Sequence, residues 1–272
     1  MSKNRVLIVT QEMQPYTALN EISEIARKLP QHIQENGMEI RILMPRYGLI
    51  NERRHRLHEV VRLSGMNIIV DDDDYPLIIK VASLPEARMQ VYFLDNEDFF
   101  KRKAIFEDSK GKSFNDNVDR MVFFCKGVME TVKKFGWAPD IIHCHGWLTS
   151  LVPLYLKTAY KSEPLFQKVK TVYSVYNRCI DPKVSESFSE KAIINNLKKE
   201  DLEVYFQGSE LALHKGAGAF ADAIVQGSAT LDDLAQLGMD YPDKPRLLNE
   251  GSLDLSKYMD FYKSLLGEEV SD

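Results

Sequence analysis

The stretch PDIIHCHGW, residues 139–147, decides the fold of this chain. Two isoleucines follow a Pro-Asp pair and predict a short buried strand, and two histidines and a tryptophan come directly after them. The apolar run that begins at Leu148 is typical of a helix. A buried strand that leads into a helix indicates an open α/β sheet, whose ligands bind outside the carboxyl ends of the strands.

The same alternation of strand and helix extends on both sides of this stretch. Residues 4–10 predict a strand, apolar residues at helical spacing predict a helix over about 20–36, and residues 40–44 predict a second strand. Such a βαβ unit implies parallel strands and a right-handed crossover. Further elements are predicted as helices at about 116–135, 148–160 and 229–237 and as strands at 169–175 and 223–227.

Residues 57–95 interrupt this alternation with several short β-rich runs. Four consecutive aspartates at 71–74 separate two of the runs, and they could bind a divalent ion or form a hairpin turn. The turn is the better interpretation, because a calcium loop needs spaced ligands and a glycine. We therefore predict one doubly wound, mostly parallel, Rossmann-like α/β sheet with a β-rich insertion near 57–95.

Composition restricts the class of protein and its partners. The 272 residues are 44% hydrophobic and 28% charged, with a net charge of −5, which is ordinary for a globular protein. Basic residues are interspersed with acidic ones, so no nucleic-acid partner is expected. We expect neither a secretory signal nor a membrane span of ~20 apolar residues. The three widely spaced cysteines, including Cys179, predict reduced thiols in a cytoplasmic protein.

The opening stretch also carries a family resemblance. PDIIHCHGW, followed by LTSLVPLYLK, resembles the segment of bacterial glycogen synthases and plant starch synthases that reads roughly PD-V-V-H-x-H-D-W-H-x-A-L-x-P-x-Y-L. Weaker matches occur in the family's order from about residue 4 to residue 235. They lie at residues 5–16, 42–48, 114–120, 172–177 and 221–225.

The resemblance implies one half of a two-domain GT-B glycosyltransferase. In that family the C-terminal domain mainly holds the sugar nucleotide, and the N-terminal domain closes over it and binds the glucan. Residues 1–240 are then the N-terminal Rossmann domain, and residues 241–272 are a tail whose helix, near 253–266, packs back on it. The second GT-B domain is not expected within these 272 residues.

The resemblance also implies a set of substrate-binding residues. His145 would face the donor glucose, and the residues of the segment 114–120 would line the cleft. Carboxylate, amide and imidazole groups suit sugar hydroxyls, and a tryptophan face suits a glucose ring. No catalytic residue is assigned. The full set of implied substrate-binding residues is Asp116, Asn117, Arg120, His145, Trp147 and Asn177.

Each of these residues has a structural alternative. Asp116 could cap the helix that begins there, and Arg120, one turn later, could pair with it. Trp147 could belong to the packing of the helix, and His143 is expected to be structural. A metal bound by the H-x-H pair is disfavoured because no third ligand has a recognisable position, so neither a metal nor a cofactor is expected.

The departures from the family pattern bear on activity. The family's K-T-G-G-L loop, which approaches the donor phosphates, corresponds to Ala18–Ile22 here. Its positive charge and both glycines are missing, and Glu21 would repel a pyrophosphate. Gly146 and Leu148 replace an aspartate and a histidine of the H-x-H-D-W-H pattern, and Tyr176 replaces the histidine of T-I-H-N.

These departures predict a domain related to ADP-glucose:α-1,4-glucan glucosyl transfer that is impaired as a transferase alone. It would bind a glucan, a sugar phosphate or sugar nucleotide such as ADP-glucose, or a protein partner. The alternative is an active glycosyltransferase completed by a second chain or by a homodimer. A nicotinamide-dependent oxidoreductase is disfavoured, because no G-x-G-x-x-G fingerprint follows any predicted strand.

Overall fold

The structure is a computed structural model that describes residues 3–84, 87, 89–177 and 187–268. The strands in these residues are β1 (Arg5–Thr10), β2 (Glu39–Pro45), β3 (His58–Glu59), β4 (Met66–Val70), β5 (Asp73–Ser83), β6 (Gln90–Asp95), β7 (Ile141–His145), β8 (Lys170–Val175), β9 (Phe206–Gln207), β10 (Glu210–Leu211), β11 (Ala223–Gln226) and β12 (Arg246–Leu247). The α-helices are α1 (Glu21–Glu35), α2 (Glu52–His55), α3 (Glu97–Phe100), α4 (Asn117–Phe135), α5 (Leu151–Lys157), α6 (Phe188–Ala192), α7 (Leu213–Phe220), α8 (Asp233–Gln236) and α9 (Leu255–Leu266).

One large sheet organises the molecule. Its strand order is β12-β11-β8-β7-β1-β2-β6-β5-β3, and β4 pairs with β5. All neighbours from β12 to β6 are parallel. Because β2 lies on one side of β1 and β7 on the other, the winding reverses between β1 and β7. The predicted doubly wound, mostly parallel α/β sheet is confirmed, and its switch point lies at the carboxyl ends of β1 and β7.

The predicted β-rich insertion extends this sheet at one edge. β5 runs antiparallel to β3, β4 and β6. The register of β4 and β5 pairs Val70 with Asp73, so the acidic run forms the predicted hairpin turn. Asp71 takes a left-handed conformation there (φ 58°), which aspartate tolerates better than most residues. β6 itself belongs to the parallel set.

Two helices are shorter than predicted. The predicted helix 148–160 is a 3₁₀ turn at Trp147–Thr149 followed by α5. Pro153 lies in the first turn of α5, where its missing N–H costs no intrahelical bond. The helix predicted over 229–237 is reduced to α8, which is followed by another 3₁₀ turn. In the described part of the chain, every helix is too short or too polar to cross a lipid bilayer.

The tail helix α9 contacts α1 and β12. It buries Tyr258, Met259 and Tyr262. The Tyr262 hydroxyl lies 2.5 Å from Nδ1 of His143 in β7, so the tail reaches the centre of the sheet. The helix begins with Asp254, whose side chain accepts from the amide of Ser256, and ends at Gly267 in the left-handed conformation that such helix ends favour.

Candidate functional site

Two stacked imidazoles form the end of β7. The rings of His143 and His145 lie 3.9 Å apart, and neither side chain is exposed to solvent. Burial lowers the pKa of His145 to about 3, and burial together with the neighbouring His145 lowers the pKa of His143 well below its usual value. Both rings are therefore neutral at pH 7.

The two histidines differ in how their nitrogens are satisfied. His143 binds Tyr262 Oη through Nδ1 (2.5 Å) and Ser174 Oγ through Nε2 (2.7 Å), as a structural residue would. His145 binds Tyr176 Oη through Nδ1 at 3.0 Å. Its Nε2 is buried and has no hydrogen-bond partner among the described residues. A buried polar atom left in this state calls for an explanation.

The fold encloses the imidazole of His145 completely. The residue belongs to β7 itself, and all five residues of that strand are buried. The ring is covered by His143 on one side and lies 6.3 Å from the ring of Tyr176. A protein group therefore satisfies Nδ1 of His145, whereas Nε2 has no partner among the described residues.

Gly146 has a conformation and surroundings that disfavour any side chain at this position, including the family's aspartate. Its φ is +86°, and a Cβ built on it would come within 2.3 Å of Oε1 of Gln11. That oxygen accepts from the backbone N–H of Leu148 at 3.3 Å, and the Gln11 carbonyl accepts from the hydroxyl of Tyr47. The glutamine that follows β1 therefore occupies the space beside β7 that a side chain at position 146 would need.

The N-terminus of α1, which follows β1, is closed by its own side chains. Oδ1 of Asn20 accepts from the amide of Ser23 (2.8 Å), and the Ser23 hydroxyl in turn accepts from the Asn20 amide. Asn20 Nδ2 donates to the buried carboxylate of Glu12. Glu21, in the position of a family glycine, accepts from the hydroxyl of Ser228 at 2.6 Å, and Glu24 adds a second acid to the first turn.

Both structural alternatives for Asp116, capping of α4 and pairing with Arg120, are wrong. Asp116 precedes α4, but its side chain makes no capping hydrogen bond. It pairs instead with Arg102. Arg120 is 1% exposed, and its buried guanidinium donates to the carbonyl of Ile105 and to Oδ1 of Asn117, whereas Asp116 is half-buried.

Aromatic rings surround the buried Arg120 guanidinium at 5.4–5.9 Å from their centroids. One of them, Phe106, also packs against Trp147 at 4.8 Å. Trp147 is 1% exposed, so the structure places it in the core, consistent with the packing alternative. Burial lowers the pKa of Arg120, although it remains a cation at neutral pH.

Asn177 lies at the exposed end of β8. Its Nδ2 donates to the carbonyl of Thr230 (2.7 Å), and its Oδ1 accepts from the amide of Asp232 (2.8 Å). It therefore joins β8 to the loop after β11. His145 binds Tyr176, which directly precedes Asn177 in the chain, and these residues form a first group. A second group, Asn117, Arg120 and Trp147, shares contacts with Phe106, while Asp116 beside it pairs with Arg102.

A cavity of about 160 Å³ opens beside the first group. It lies between the N-terminal turn of α1, the end of β11 and the segment that leads into α9. Its wall combines carboxylates, an amide, an ammonium and two phenol rings. The residues that bear these groups are Glu21, Glu24, Tyr176, Asn249, Lys257 and Tyr258. Carboxylate, amide and phenol groups on one wall can accept from and donate to hydroxyl groups.

Several residues at this edge were not predicted as site residues. Gln11 could have been found, because it directly follows β1. Ser174 and Tyr262 carry no local signal, since their role depends on contacts with His143, which for Tyr262 lies 119 residues away. His214 is also buried, with its pKa lowered to about 4 by burial, and its Nδ1 binds Tyr173 Oη. Among the described residues, no group of three or more His, Cys, Asp and Glu side chains could hold a metal ion.

Comparison with known proteins gives this fold and site a family. The model of the starch synthase catalytic domain family matches residues 5–236. This chain therefore belongs to that family, and the predicted resemblance to glycogen and starch synthases is confirmed.

Curated relatives and a solved structure agree with this assignment. The glycogen synthase of Pelodictyon phaeoclathratiforme is 43% identical over 174 residues, which are 64% of this chain and 36% of that protein. The glycogen synthase of Chlorobium phaeovibrioides is 37% identical over 215 residues, 76% of this chain and 44% of that protein. The chain thus spans less than half the length of these relatives.

One similar solved structure is the catalytic domain of starch synthase IV from Arabidopsis thaliana bound to ADP and acarbose. It superposes with a TM-score of 0.70 at 18% identity, over 91% of this chain and 52% of the other. This similarity concerns the fold. It supports the predicted assignment of the sheet to the α/β architecture of a GT-B glycosyltransferase.

Proposed function

We propose that this starch/glycogen-synthase-like domain binds a carbohydrate or a partner protein at the carboxyl edge of its sheet, and that by itself it is impaired in glucose transfer from ADP-glucose. The observation that carries the proposal is the closed, acidic N-terminus of α1. In the family pattern this loop offers a lysine and two glycines to the donor phosphates. Here it offers Asn20, Glu21 and Glu24.

The physical argument concerns anions. A helix N-terminus binds phosphate through its free amide groups and its dipole. In α1 the side chain of Asn20 accepts from the Ser23 amide, so that amide is not free for a phosphate. The two acids of the first turn already interact with the positive end of the helix dipole. A pyrophosphate would also meet like charge there. Because losing even one donor to developing charge can cost about 10²–10³ in rate, transfer should be slow.

A neutral polyhydroxylated ligand would not be repelled by the acids in the first turn of α1. Carboxylates accept hydrogen bonds from sugar hydroxyls, and phenol rings such as those of Tyr176 and Tyr258 can pack against a glucose ring. Arabidopsis starch synthase IV is described with both a nucleotide, ADP, and an oligosaccharide analogue, acarbose. For this chain alone we propose a carbohydrate ligand. A nucleotide would bind only in an assembly whose other part supplies the contacts to its phosphates.

A transfer assay tests the proposal. Protein purified from a host that lacks glycogen synthase is incubated with ADP-[¹⁴C]glucose and glycogen, and incorporated label is counted. We expect incorporation far below the rate of a full-length synthase measured in parallel. Robust incorporation by this chain alone would overturn the proposed impairment.

A specific observation favours a second candidate, an active transferase completed by a second chain or a homodimer. Three large apolar side chains are exposed at the acidic edge: Leu19 (67%), Leu248 (57%) and Leu253 (44%). Leu248 and Leu253 line the cavity that Glu21 also lines. Exposed apolar side chains that lie together in this way are typical of interaction surfaces.

Light scattering with two matched variants tests this candidate. If the chain forms a homodimer through this edge, Leu248→Glu should yield monomers, while Val61→Glu leaves the dimer intact. Val61 is 78% exposed, but it lies beyond β3 at the far edge of the sheet. A wild-type monomer at all concentrations would exclude the homodimer, and equal effects of both variants would exclude this edge as its interface.

The cytoplasmic location expected from the sequence is part of the same proposal. Cys125 and Cys144 are both buried free thiols, and burial raises the pKa of each well above its usual value. Such thiols are inert packing groups, as expected where disulfides do not form. Cys179 lies outside the described residues.

A further inference from the structure

The cavity between α1, β11 and the segment that leads into α9 carries an excess of negative charge. Four carboxylates and one ammonium line it, so its wall has a formal charge of −3 at pH 7. The carboxylates belong to Glu21, Glu24, Glu250 and Asp254. Two of them have cationic partners, because Glu24 pairs with Lys28 and Glu250 pairs with the ammonium of the wall, Lys257.

The other two carboxylates, those of Glu21 and Asp254, form no ion pair within the described part of the chain. Oε2 of Glu21 accepts from the hydroxyl of Ser228 (2.6 Å), and Oδ1 of Asp254 accepts from the amide of Ser256 (3.0 Å). Since an ionised carboxylate can accept at both of its oxygens, each residue keeps one oxygen for a ligand. The cavity therefore offers two uncompensated negative charges.

A buried hydroxyl at the same wall also lacks a partner. Tyr258 lines the cavity and is 8% exposed, and its hydroxyl makes no hydrogen bond to any described residue. The hydroxyl oxygen is not sealed from solvent, so the cavity can supply the missing partner. A phenol oxygen accepts hydrogen bonds, and a protonated amine offers three donors. This hydroxyl is an observation independent of the carboxylates, and it also favours a ligand with N–H groups.

Two exposed leucines on the wall restrict the kind of cation. Leu248 is 57% exposed and Leu253 is 44% exposed, and both line the cavity. Apolar side chains give an inorganic ion nothing, but they pack against the methylene groups of an alkyl chain. Among the described residues, no group of three or more His, Cys, Asp and Glu side chains could hold a metal ion. The wall therefore suits a cation with an aliphatic body.

We propose that this cavity binds an organic dication of the aliphatic diamine class. Its ammonium groups bind the carboxylates of Glu21 and Asp254, and its methylene chain packs against the two leucines. Asp254, Tyr258 and both leucines lie beyond residue 236, where the family match ends, so the site is built by the tail of this chain. The proposal goes beyond the proposed function, because it does not require a carbohydrate to bind.

Calorimetric titration of the full chain at low ionic strength tests the proposal. The probes are putrescine, cadaverine, the neutral analogue butanediol, and magnesium chloride, whose cation carries the same charge as the diamines. We expect heat with at least one diamine and none with butanediol or magnesium. Glu21→Gln and Asp254→Asn should each weaken diamine binding about five-fold, because each removes one exposed ion pair. Asparagine still caps α9, so the second variant keeps its helix.

Two further variants separate this site from diffuse attraction by acidic surface. Tyr258→Phe removes only the hydroxyl and should weaken diamine binding about three-fold. Glu97→Gln is the matched control, since Glu97 is an exposed acid in the first turn of α3 and does not line the cavity. It should leave the affinity unchanged.

Three results would overturn the proposal: no heat with either diamine, equal affinity for magnesium, or an equal loss in Glu97→Gln. Tighter binding of N-acetyl-lysine methylamide than of the diamines would also overturn it, because the site would then take a lysine side chain of a protein. The diamines and the maltooligosaccharides line up against the same wall, so each is titrated alone. Diamine binding without glucan binding leaves this proposal standing and removes the carbohydrate, and the opposite result does the reverse.

Discussion

The ends of β1 and β7 are neighbours at the switch point of the sheet, yet they are closed in opposite ways. At the β1 end, the first turn of α1 is capped by Asn20 and carries Glu21 and Glu24. At the β7 end, two neutral imidazoles are buried, and one nitrogen of His145 has no partner among the described residues. This difference underlies our proposal that the edge disfavours anions and binds a neutral ligand.

Acid should destabilise the fold mainly through its buried histidines, two of which lie at the end of β7. Burial lowers the pKa of His143, His145 and His214, to about 3 and about 4 for the last two. The unfolded chain binds these protons near pH 6.5, so stability that is present above pH 6.5 is lost as the pH falls toward the folded pKa values. The loss between pH 7 and pH 5 should be about 2 kcal/mol per histidine, or up to about 6 kcal/mol in all.

Urea unfolding at pH 7, 6 and 5 measures this loss. The free energy of unfolding should fall steadily across the series. A constant value would mean that the imidazoles are not held neutral in the fold, and the contrast between the two ends would disappear.

The tail helix should stabilise the β7 end strongly. Tyr262 is fully buried against His143, so Tyr262→Ala removes a large aromatic side chain and leaves a cavity. We expect a loss of about 3–5 kcal/mol in the free energy of unfolding. Ser264→Ala, at an exposed position of the same helix, is the control and should change little. Equal effects of the two substitutions would show that α9 does not cover the β7 end.

Gly146 joins the two ends, because the side chain of Gln11 fills the space of its missing Cβ. Gly146→Ala should cost about 3 kcal/mol from the left-handed backbone and the clash together. Gly37→Ala isolates the backbone part, since Gly37 has φ +93° with nothing within 4 Å of its Cβ position. Thermal unfolding of both variants, and of Gly146→Ala with Gln11→Ala, gives the comparison. Partial rescue by the second substitution is expected, and identical losses for the two alanine variants would rule out the clash.

Substitutions at the β1 end should reduce the free energy of unfolding least. Asn20→Ala removes the cap of α1 and should cost about 1 kcal/mol in the free energy of unfolding. Asn51→Ala removes an equivalent cap from the four-residue helix α2, whose unravelling would not propagate, so its effect should be smaller. Equal losses in chemical denaturation would mean that the Asn20 cap has no special weight at this end.

The sequence predicted the alternation of strands and helices because that alternation is local. The apolar run of β7 and the helical spacing of α1 each act over a few residues. The position at which α9 packs against the sheet could not be predicted in this way. The amphipathic pattern near 253–266 is visible, but its contact with His143 joins residues 119 positions apart. The burial of His145 follows from the same long-range packing.

The candidate site was predicted in part for the same reason. Family motifs located His145 and Asn177 near the switch point, and they marked Gly146 as a departure without explaining it. The explanation required Gln11, which hydrogen-bonds to Leu148 from 137 positions away. The choice of Arg102, rather than Arg120, as the partner of Asp116 likewise depends on which guanidinium the fold buries.

A calorimetric titration of ADP-glucose, ADP and maltooligosaccharides, carried out side by side on the same protein, tests the central claim most directly. The contrast between the two ends predicts measurable heat with the maltooligosaccharides and none with either nucleotide at the same concentrations. Measurable affinity for ADP or ADP-glucose, without affinity for the glucan, would contradict the account and favour a nucleotide-binding transferase half.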